Sequence, residues 1–405
     1  MSTSRQRLGV IFLTVLIDLI GFGIVLPILP YYAQRFGAAG IGYGAIVAVF
    51  SGMQFVATAV LGKLSDRVGR RPILLTTMAI NAIGYVLFAY AGSYWILFAS
   101  RVISGFAGGN ISAAQAYIAD ITSPAERSKG MGMLGAAFGI GFTLGPGLGG
   151  FADHYFGHAA PGLLAAGLSL ANLWLAWVIL PESLRPELRA KRRMWDFGHI
   201  GEALARPRLR PLLIVWALAP FAFAGYTVIL PFLAAARFNW GSRELGLFFI
   251  VVGLTAAIVQ GYVFGRLHAR VGDRPLVITG MFGMAAGIGL VPFLPSEAAL
   301  YAWTFVLAFS NSVFAPAATG LVSVYAGADE QGTVLGTAQA IAALGRTTGP
   351  LALGFAYDAI GGRTAFVAAG AVMFLAGVVS FGLERVSPHL TTGPAMGDRS
   401  PPAGS

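Results

Sequence analysis

Gly62-Lys63-Leu64-Ser65-Asp66-Arg67-Val68-Gly69-Arg70-Arg71-Pro72 is a short polar run set between two apolar segments. Each flanking segment is about 20 residues long, the length that crosses a bilayer. The run returns 203 residues later as Gly265-Arg266-Leu267-His268-Ala269-Arg270-Val271-Gly272-Asp273-Arg274-Pro275, with Gly62, Leu64, Arg67, Val68, Gly69, Arg71 and Pro72 meeting their own residue type again. Internal symmetry of this kind in an apolar chain points to a membrane carrier built from two related halves. The twin copy also suggests more than a basic loop, namely a latch at the seam between those halves.

Composition supports a lipid environment. The 405 residues are 56% hydrophobic and only 11% charged, with a mean hydropathy of +0.73, whereas soluble domains carry about 25% charged residues. Such a chain cannot cover itself with a wettable surface. The absence of Cys excludes disulfides and thiolate metal sites. A net charge of +10 would suit nucleic acid in a soluble protein, but its placement argues otherwise. With the N-terminus in the cytoplasm, only Arg35, Arg237, Arg243 and Arg363 of the 27 Lys and Arg fall on the opposite side, and Arg101 and Arg346 lie inside apolar segments. That asymmetry is the positive-inside rule, with both termini cytoplasmic.

In chain order, twelve transmembrane helices are expected, giving an all-α membrane protein. Residues 1–181 form a six-helix lobe, 182–208 a basic cytoplasmic linker, 209–385 a second six-helix lobe and 386–405 a disordered tail. The first 30 residues resemble a signal peptide only superficially: Asp18 interrupts the apolar run and no small-residue cleavage site follows. Helix 1 is read as continuing to Pro30. Asp18 then lies about 15 Å deep, where a carboxylate is costly without water or a partner.

Helix 2 carries Gln54, ends at Gly62, and the motif makes the turn, with Asp66 and Arg70 at i, i+4 spacing. Helix 3 holds Asn81. Helix 4 places Arg101 inside the membrane, and Asp18 is the acid expected to meet it; Asp120 ends the helix beside Asp66 and Arg70, before the Pro124-Ala125-Glu126-Arg127 turn.

Helix 5 has two small-residue rows, Gly135/Gly139 and Gly141/Gly145/Gly149, for close packing, and Pro146 should bend it. Gly145-Pro146-Gly147-Leu148-Gly149-Gly150 looks like a dinucleotide loop, but no strand precedes it and no acid follows, so no cofactor is expected. Asp153, His154 and His158 read as a polar turn rather than a metal site. The second half repeats the plan: helix 7 ends near Leu230-Pro231, helix 8 holds Gln260, helix 10 Asn311, and helix 11 Gln339 and Arg346. Gly145-Pro146 returns as Gly349-Pro350 at an offset of 204.

These residues resemble the major facilitator superfamily, and within it the twelve-helix drug:proton antiporters of the tetracycline-resistance branch. Asp18-x-x-Gly21-x-Gly23-x-x-x-Pro27-x-x-Pro30 is similar to that branch's helix 1 signature, Gly62 to Arg71 to the superfamily loop motif, and Arg101-x-x-x-Gly105 to the helix 4 motif. Gly141-x-x-x-Gly145-Pro146-x-x-Gly149-Gly150 is similar to the helix 5 antiporter motif. The resemblance covers about Leu8 to Glu384. It implies a multi-pass protein of the bacterial inner (plasma) membrane, a monomer whose partners are protons, a small-molecule substrate and lipid.

It also implies roles. Asp66, Arg70 and Asp120 would hold the cytoplasmic side closed in the outward-facing state, and Asp18 and Arg101 would couple protons. The acids that the tetracycline exporters carry in helices 3 and 9 align with Gly84 and Met284, and a helix 8 His with Ala256. Together with the additional cation Arg346, this favours an amphiphile with an anionic group over tetracycline itself.

The expected mechanism is alternating access. A proton and an outbound drug-like amphiphile, tetracycline-type or multidrug, compete for a central cavity lined by Asp18, Gln54, Asn81, Arg101, Gln260, Asn311, Gln339 and Arg346. Protonation of Asp18 would weaken its link to Arg101 or Arg346. A proton-coupled uptake symporter for a small organic metabolite is the alternative, disfavoured by the helix 5 motif. An enzyme is not expected: there is no Cys, no His-Glu-x-x-His, and five scattered His.

Overall fold

The computed structural model describes residues 2–184, 205–326 and 331–384, all of it helix and connecting turn. Most of the basic linker expected at 182–208 and the whole tail at 386–405 lie outside the described residues, as do the side chains of the 124–127 turn. The helices are α1 (Ser2–Val25), α2 (Leu29–Arg35), α3 (Gly40–Val68), α4 (Arg70–Ala89), α5 (Tyr94–Ala107), α6 (Ile111–Ile121), α7 (Pro124–Phe156) and α8 (Ala159–Ile179). The second half adds α9 (Arg210–Phe238), α10 (Ser242–Ile258), α11 (Phe264–Val271), α12 (Asp273–Gly289), α13 (Glu297–Tyr325), α14 (Gln331–Ile360) and α15 (Gly362–Ser380).

Nine described helical spans are long and apolar enough to cross a membrane. Three more crossings are made by α5 with α6, by the 17-residue α12 and by the 30-residue α14, giving the expected twelve. Backbone polar groups have no water to bond in lipid, so each crossing must be helical. The interruptions are correspondingly brief. A 3-10 turn, Gly108–Asn110, separates α5 from α6, and a π segment, Val259–Val263, separates α10 from α11. Prolines 146, 220, 231, 316 and 350 lie inside helices that run on past them.

Three expected boundaries shift. The first span ends at Val25, and Pro30 opens the separate α2, where its missing N–H costs nothing. The seventh continues through Pro231 to Phe238. The polar motif is mostly helix: α3 extends through Val68, and the turn is Gly69 alone, at φ +119°. Only glycine takes that backbone conformation cheaply, and Glu182 fills the place a side chain would need.

α7 and α14 hold the molecule together. α7 packs on α1 within the first half and on α10 of the second; α14 packs on α9 within the second half and on α3 of the first. The two ends of these seams differ. We call the end bearing the Gly62–Pro72 stretch the motif side and the other the far side.

On the far side backbones nearly touch. A Cβ at Gly246 would sit 2.7 Å from the Pro146 carbonyl oxygen, one at Gly150 2.5 Å from the Ser242 carbonyl oxygen, and one at Gly354 2.5 Å from that of Gly40. On the motif side Gly132, Gly135, Gly139, Gly261, Gly265 and Gly336 meet nothing within 4 Å, and α11 buries no residue. The halves are therefore closed together on the far side and splayed on the motif side. Of the two small-residue rows expected in this helix, Gly141, Gly145 and Gly149 are used, against Leu19, Ile20, Gly23 and Ile24 of α1, whereas Gly135 and Gly139 face open space.

Candidate transport site

Asp18 lies in the middle of α1 and is held by two amides. Asn110 Nδ2 donates to one carboxylate oxygen at 2.9 Å and Asn172 Nδ2 to the other at 3.1 Å; Asn172 also donates to the Thr14 carbonyl at 2.9 Å. Asn110 ends the 3-10 turn, and that break aims it at α1. Asn172 belongs to α8 and is fully buried. Neither partner stood out in the sequence, because they lie 92 and 154 residues away and lone asparagines carry no spacing signal.

The expected ion pair between Asp18 and Arg101 is absent from the described contacts. Arg101, 2% exposed, stacks its guanidinium over Phe88 at 4.9 Å from the ring centre, and its Nε donates to Ser100 Oγ at 3.2 Å. The Tyr85 hydroxyl of α4 abuts Gly21, one turn from Asp18. The cation–π stack and the amide clamp thus replace the ion pair. Arg101 Nη2, Asn81 Oδ1 and Ser104 Oγ, all buried, have no described partner.

The other expected cavity residues do not converge. Gln54 Nε2 donates to the Gly108 carbonyl at 3.2 Å, tying α3 to the 3-10 turn. Asn311 is half-buried and lines a narrow apolar crevice in the second half with Tyr226, Phe248, Ala256 and Ser312. Gln260, in the π segment, and Gln339 are exposed. Arg346 is half-buried midway along α14, between Gly345, pressed on the Ala217 carbonyl of α9, and Thr347, beside Gly52 of α3. It has no ion-pair or hydrogen-bond partner among the described residues. The single ring of eight polar residues is thus replaced by a polar core inside the first half and a lone cation at the seam.

The charge cluster does assemble. Arg70, nearly buried, reaches Asp66 at 2.5 Å, Asp120 at 3.2 Å and Ser65 Oγ at 2.7 Å. Glu182 accepts from the Arg70 and Arg71 backbone N–H groups at 2.9 and 3.2 Å, capping α4, while Ser183 donates to Asp120 at 3.0 Å. The start of the linker is thereby pinned beneath the motif, which sequence spacing could not show across 112 residues.

The repeated arginines do matching work. Arg71 donates to the Trp177 carbonyl at the end of α8, and Arg274 to the Phe381 and Leu383 carbonyls just past α15. Arg70 and Arg71 bond within the first half in the contacts described, so these two arginines do not latch the seam in this conformation. The splayed motif side is the reason.

The whole chain can now be set beside known proteins. The sequence pattern of the Major Facilitator Superfamily matches residues 11–268 and 234–403. The chain belongs to the major facilitator superfamily. Among superfamily members, it is 32% identical over 422 residues to the cattle (Bos taurus) major facilitator superfamily domain-containing protein 10, covering 91% of this chain and 90% of that one. It is 33% identical over 364 residues to the class C tetracycline resistance protein of Escherichia coli, covering 88% and 91%. The crystal structure of the human organic anion transporter MFSD10 (TETRAN) superposes with a TM-score of 0.72 at 29% identity, over 93% of this chain and 99% of that one. The chain is therefore a multi-pass membrane transporter, as its relatives are, and not an enzyme.

Superfamily membership sharpens the departures seen in the sequence. Gly84 lies close to α5: a Cβ there would require the Ser104 hydroxyl to turn and would sit 3.3 Å from the Ser104 backbone nitrogen, so a longer side chain meets a tight helix contact. Met284 is buried in the core of the second half, and Ala256 lines its crevice.

Proposed function

We propose that the chain is a proton-coupled exporter of amphiphilic organic anions that works by alternating access as a monomer, with the motif side in the cytoplasm. The observation that carries the substrate class is Arg346, a half-buried guanidinium at mid-helix beside the seam between α14 and α3, with no acid among the described residues to neutralise it. A cation kept in such a place is costly unless a ligand supplies the counter-charge. The human relative whose structure is described as an organic anion transporter is consistent with this reading, and the tetracycline resistance relatives support export.

Asp18 is the proposed proton site. An ionised carboxylate accepts from both amides, whereas a protonated one has a donor O–H and must give up part of that arrangement. Because the amides come from the 3-10 turn after α5 and from α8, protonation is felt by two further helices at once. That is the kind of differential contact which biases a two-state equilibrium. Asp66, Arg70 and Asp120 brace the motif side, and the Gly141–Gly150 run forms the tight seam. In the conformation described, the cavity would open to the cytoplasm.

The test is selectivity in proteoliposomes under an imposed pH gradient, with carboxyfluorescein as anionic probe and ethidium as cationic probe. The parent chain should transport the anion. Arg346→Gln should weaken its binding about 10- to 150-fold, the loss of one charge-assisted hydrogen bond of about 1.5–3 kcal/mol, without affecting thermal stability. Equal handling of both probes, or an unaltered Arg346→Gln, would refute the assignment.

A further inference from the structure

We propose that Asp153 and Asp358 are the gating residues of the far side, each bonding across the seam to the first turn of a helix from the opposite half, Asp358 as a backbone cap on α3 and Asp153 through the Ser242 hydroxyl of α10. α3 and α10 are the two seam helices that begin on the far side; α10 is capped from within by Glu244, which accepts from the Gly241 backbone N–H at 2.9 Å, whereas α3 brings no side-chain cap of its own. Their N-cap residues are Ala39 and Gly241, and no side-chain cap bond is made by either. Helix starts leave backbone donors unsatisfied and carry partial positive charge, so a carboxylate is favoured there.

The carboxylates come from across the seam. Asp358, on the last turns of α14, accepts from the Ile41 backbone N–H at 2.8 Å. Asp153, on the last turn of α7, accepts a short hydrogen bond from the Ser242 hydroxyl at the first residue of α10. Its second oxygen is held by His158 Nδ1 at 2.5 Å, which fixes its direction.

The backbone is shaped for both approaches. A side chain at Gly40 would overlap the Asp358 carboxylate, and one at Gly150 would strike the Ser242 carbonyl. Asp153 follows Gly150 by three residues and Asp358 follows Gly354 by four, and the two glycines are related by the 204-residue repeat. The halves thus place a carboxylate at the equivalent point of each seam, with a one-residue difference in spacing and a different donor, a backbone N–H at one and a hydroxyl at the other. Opening the far side must break both of these cross-seam bonds, so they weight the closed state.

The environments differ. Asp153 is buried, whereas Asp358 is exposed, so Asp153 carries the larger share. Loss of a cap shifts an equilibrium about 2- to 30-fold, and here the equilibrium is that between far-side-closed and far-side-open forms.

The chain contains no cysteine, so spin labels can be placed without background. Gln34→Cys with Thr364→Cys reports far-side separation, and Val68→Cys with Ala269→Cys reports motif-side separation, by double electron–electron resonance in lipid nanodiscs. The parent should give a short far-side distance and a long motif-side one. Asp153→Asn with Asp358→Ala should add a longer far-side population, with a matching shorter motif-side one, at least about 4-fold above the parent ratio.

Ala39→Asp added to Asp358→Ala returns a cap to α3 from within its own half and so secures folding without retying the seam. It should leave the open population in place. Unchanged distances in the Asp153/Asp358 variant, or a return to the parental distribution on adding Ala39→Asp, would overturn the proposal.

Discussion

Replacing Gly246 by alanine should open the far side without unfolding the protein, and the contrast with Gly145→Ala makes the prediction sharp. The two substitutions add the same methyl group against the same kind of neighbour. At Gly246 the new Cβ lies 2.7 Å from the Pro146 carbonyl oxygen across the seam; at Gly145 it lies 2.7 Å from both the Ile20 carbonyl oxygen and Gly23 Cα within the first half. Ordinary contact begins at 3.4 Å, so each site must give by about 0.7 Å against backbone, which cannot swivel away as a side chain can.

Overpacking of this kind costs about 1–3 kcal/mol. Where that cost falls is the point. In the alternating-access cycle proposed above, α1 and α7 belong to one half and stay together, so Gly145→Ala charges it to folding. In that proposed cycle α7 and α10 meet at Gly246 only when the far side is closed, so Gly246→Ala raises that one conformation, shifting the ratio of open to closed about 5- to 150-fold. The assay pairs thermal unfolding in detergent with the Gln34/Thr364 spin-label distance. Gly145→Ala should lower the melting temperature and leave the distance alone. Gly246→Ala should lengthen the distance and leave the melting temperature near the parent value. If both variants behave alike on the two measurements, the division into an internal contact and a moving seam is wrong.

Two further outcomes follow from the motif side and the first half. Glu182→Ala removes the acceptor for the Arg70 and Arg71 backbone N–H groups; it should lower stability by about 1 kcal/mol and speed protease cleavage after Ser183, and an unchanged cleavage rate would show that the linker is not pinned there. Gly84→Asp restores an acid where the tetracycline exporters carry one, but its Cβ would press on the α5 backbone at Ser104 and displace that hydroxyl; it should reduce the folded yield in detergent rather than confer tetracycline export, and normal yield with tetracycline resistance would contradict the packing described.

The fold was legible in sequence because lipid leaves few alternatives. Long apolar segments had to be helices, the repeat of Gly62–Pro72 at Gly265–Pro275 paired the halves, and Asp66, Arg70 and Asp120 did meet. The failures share one physical cause: partners chosen in three dimensions by groups with no periodic signal. Asp18 looked destined for Arg101 because both are charged and deep, yet two asparagines and a 3-10 turn captured the acid while Phe88 captured the cation. Asp153 and His158 read as a polar turn, although Ser242, 89 residues on, makes Asp153 part of the seam. The helix 5 glycines were half legible, since spacing shows where close approach is possible and only the state of the seam shows which of them are in contact.

Titration of Asp18 is the proposed driver of export. Everted membrane vesicles energised to an acidic interior, containing either the parent chain or Asp18→Asn at matched expression, measure it most directly through uptake of an anionic dye. The parent should accumulate dye until a protonophore is added, and Asp18→Asn should carry it only down its own gradient. Protonophore-sensitive accumulation by Asp18→Asn equal to the parent's would contradict the account.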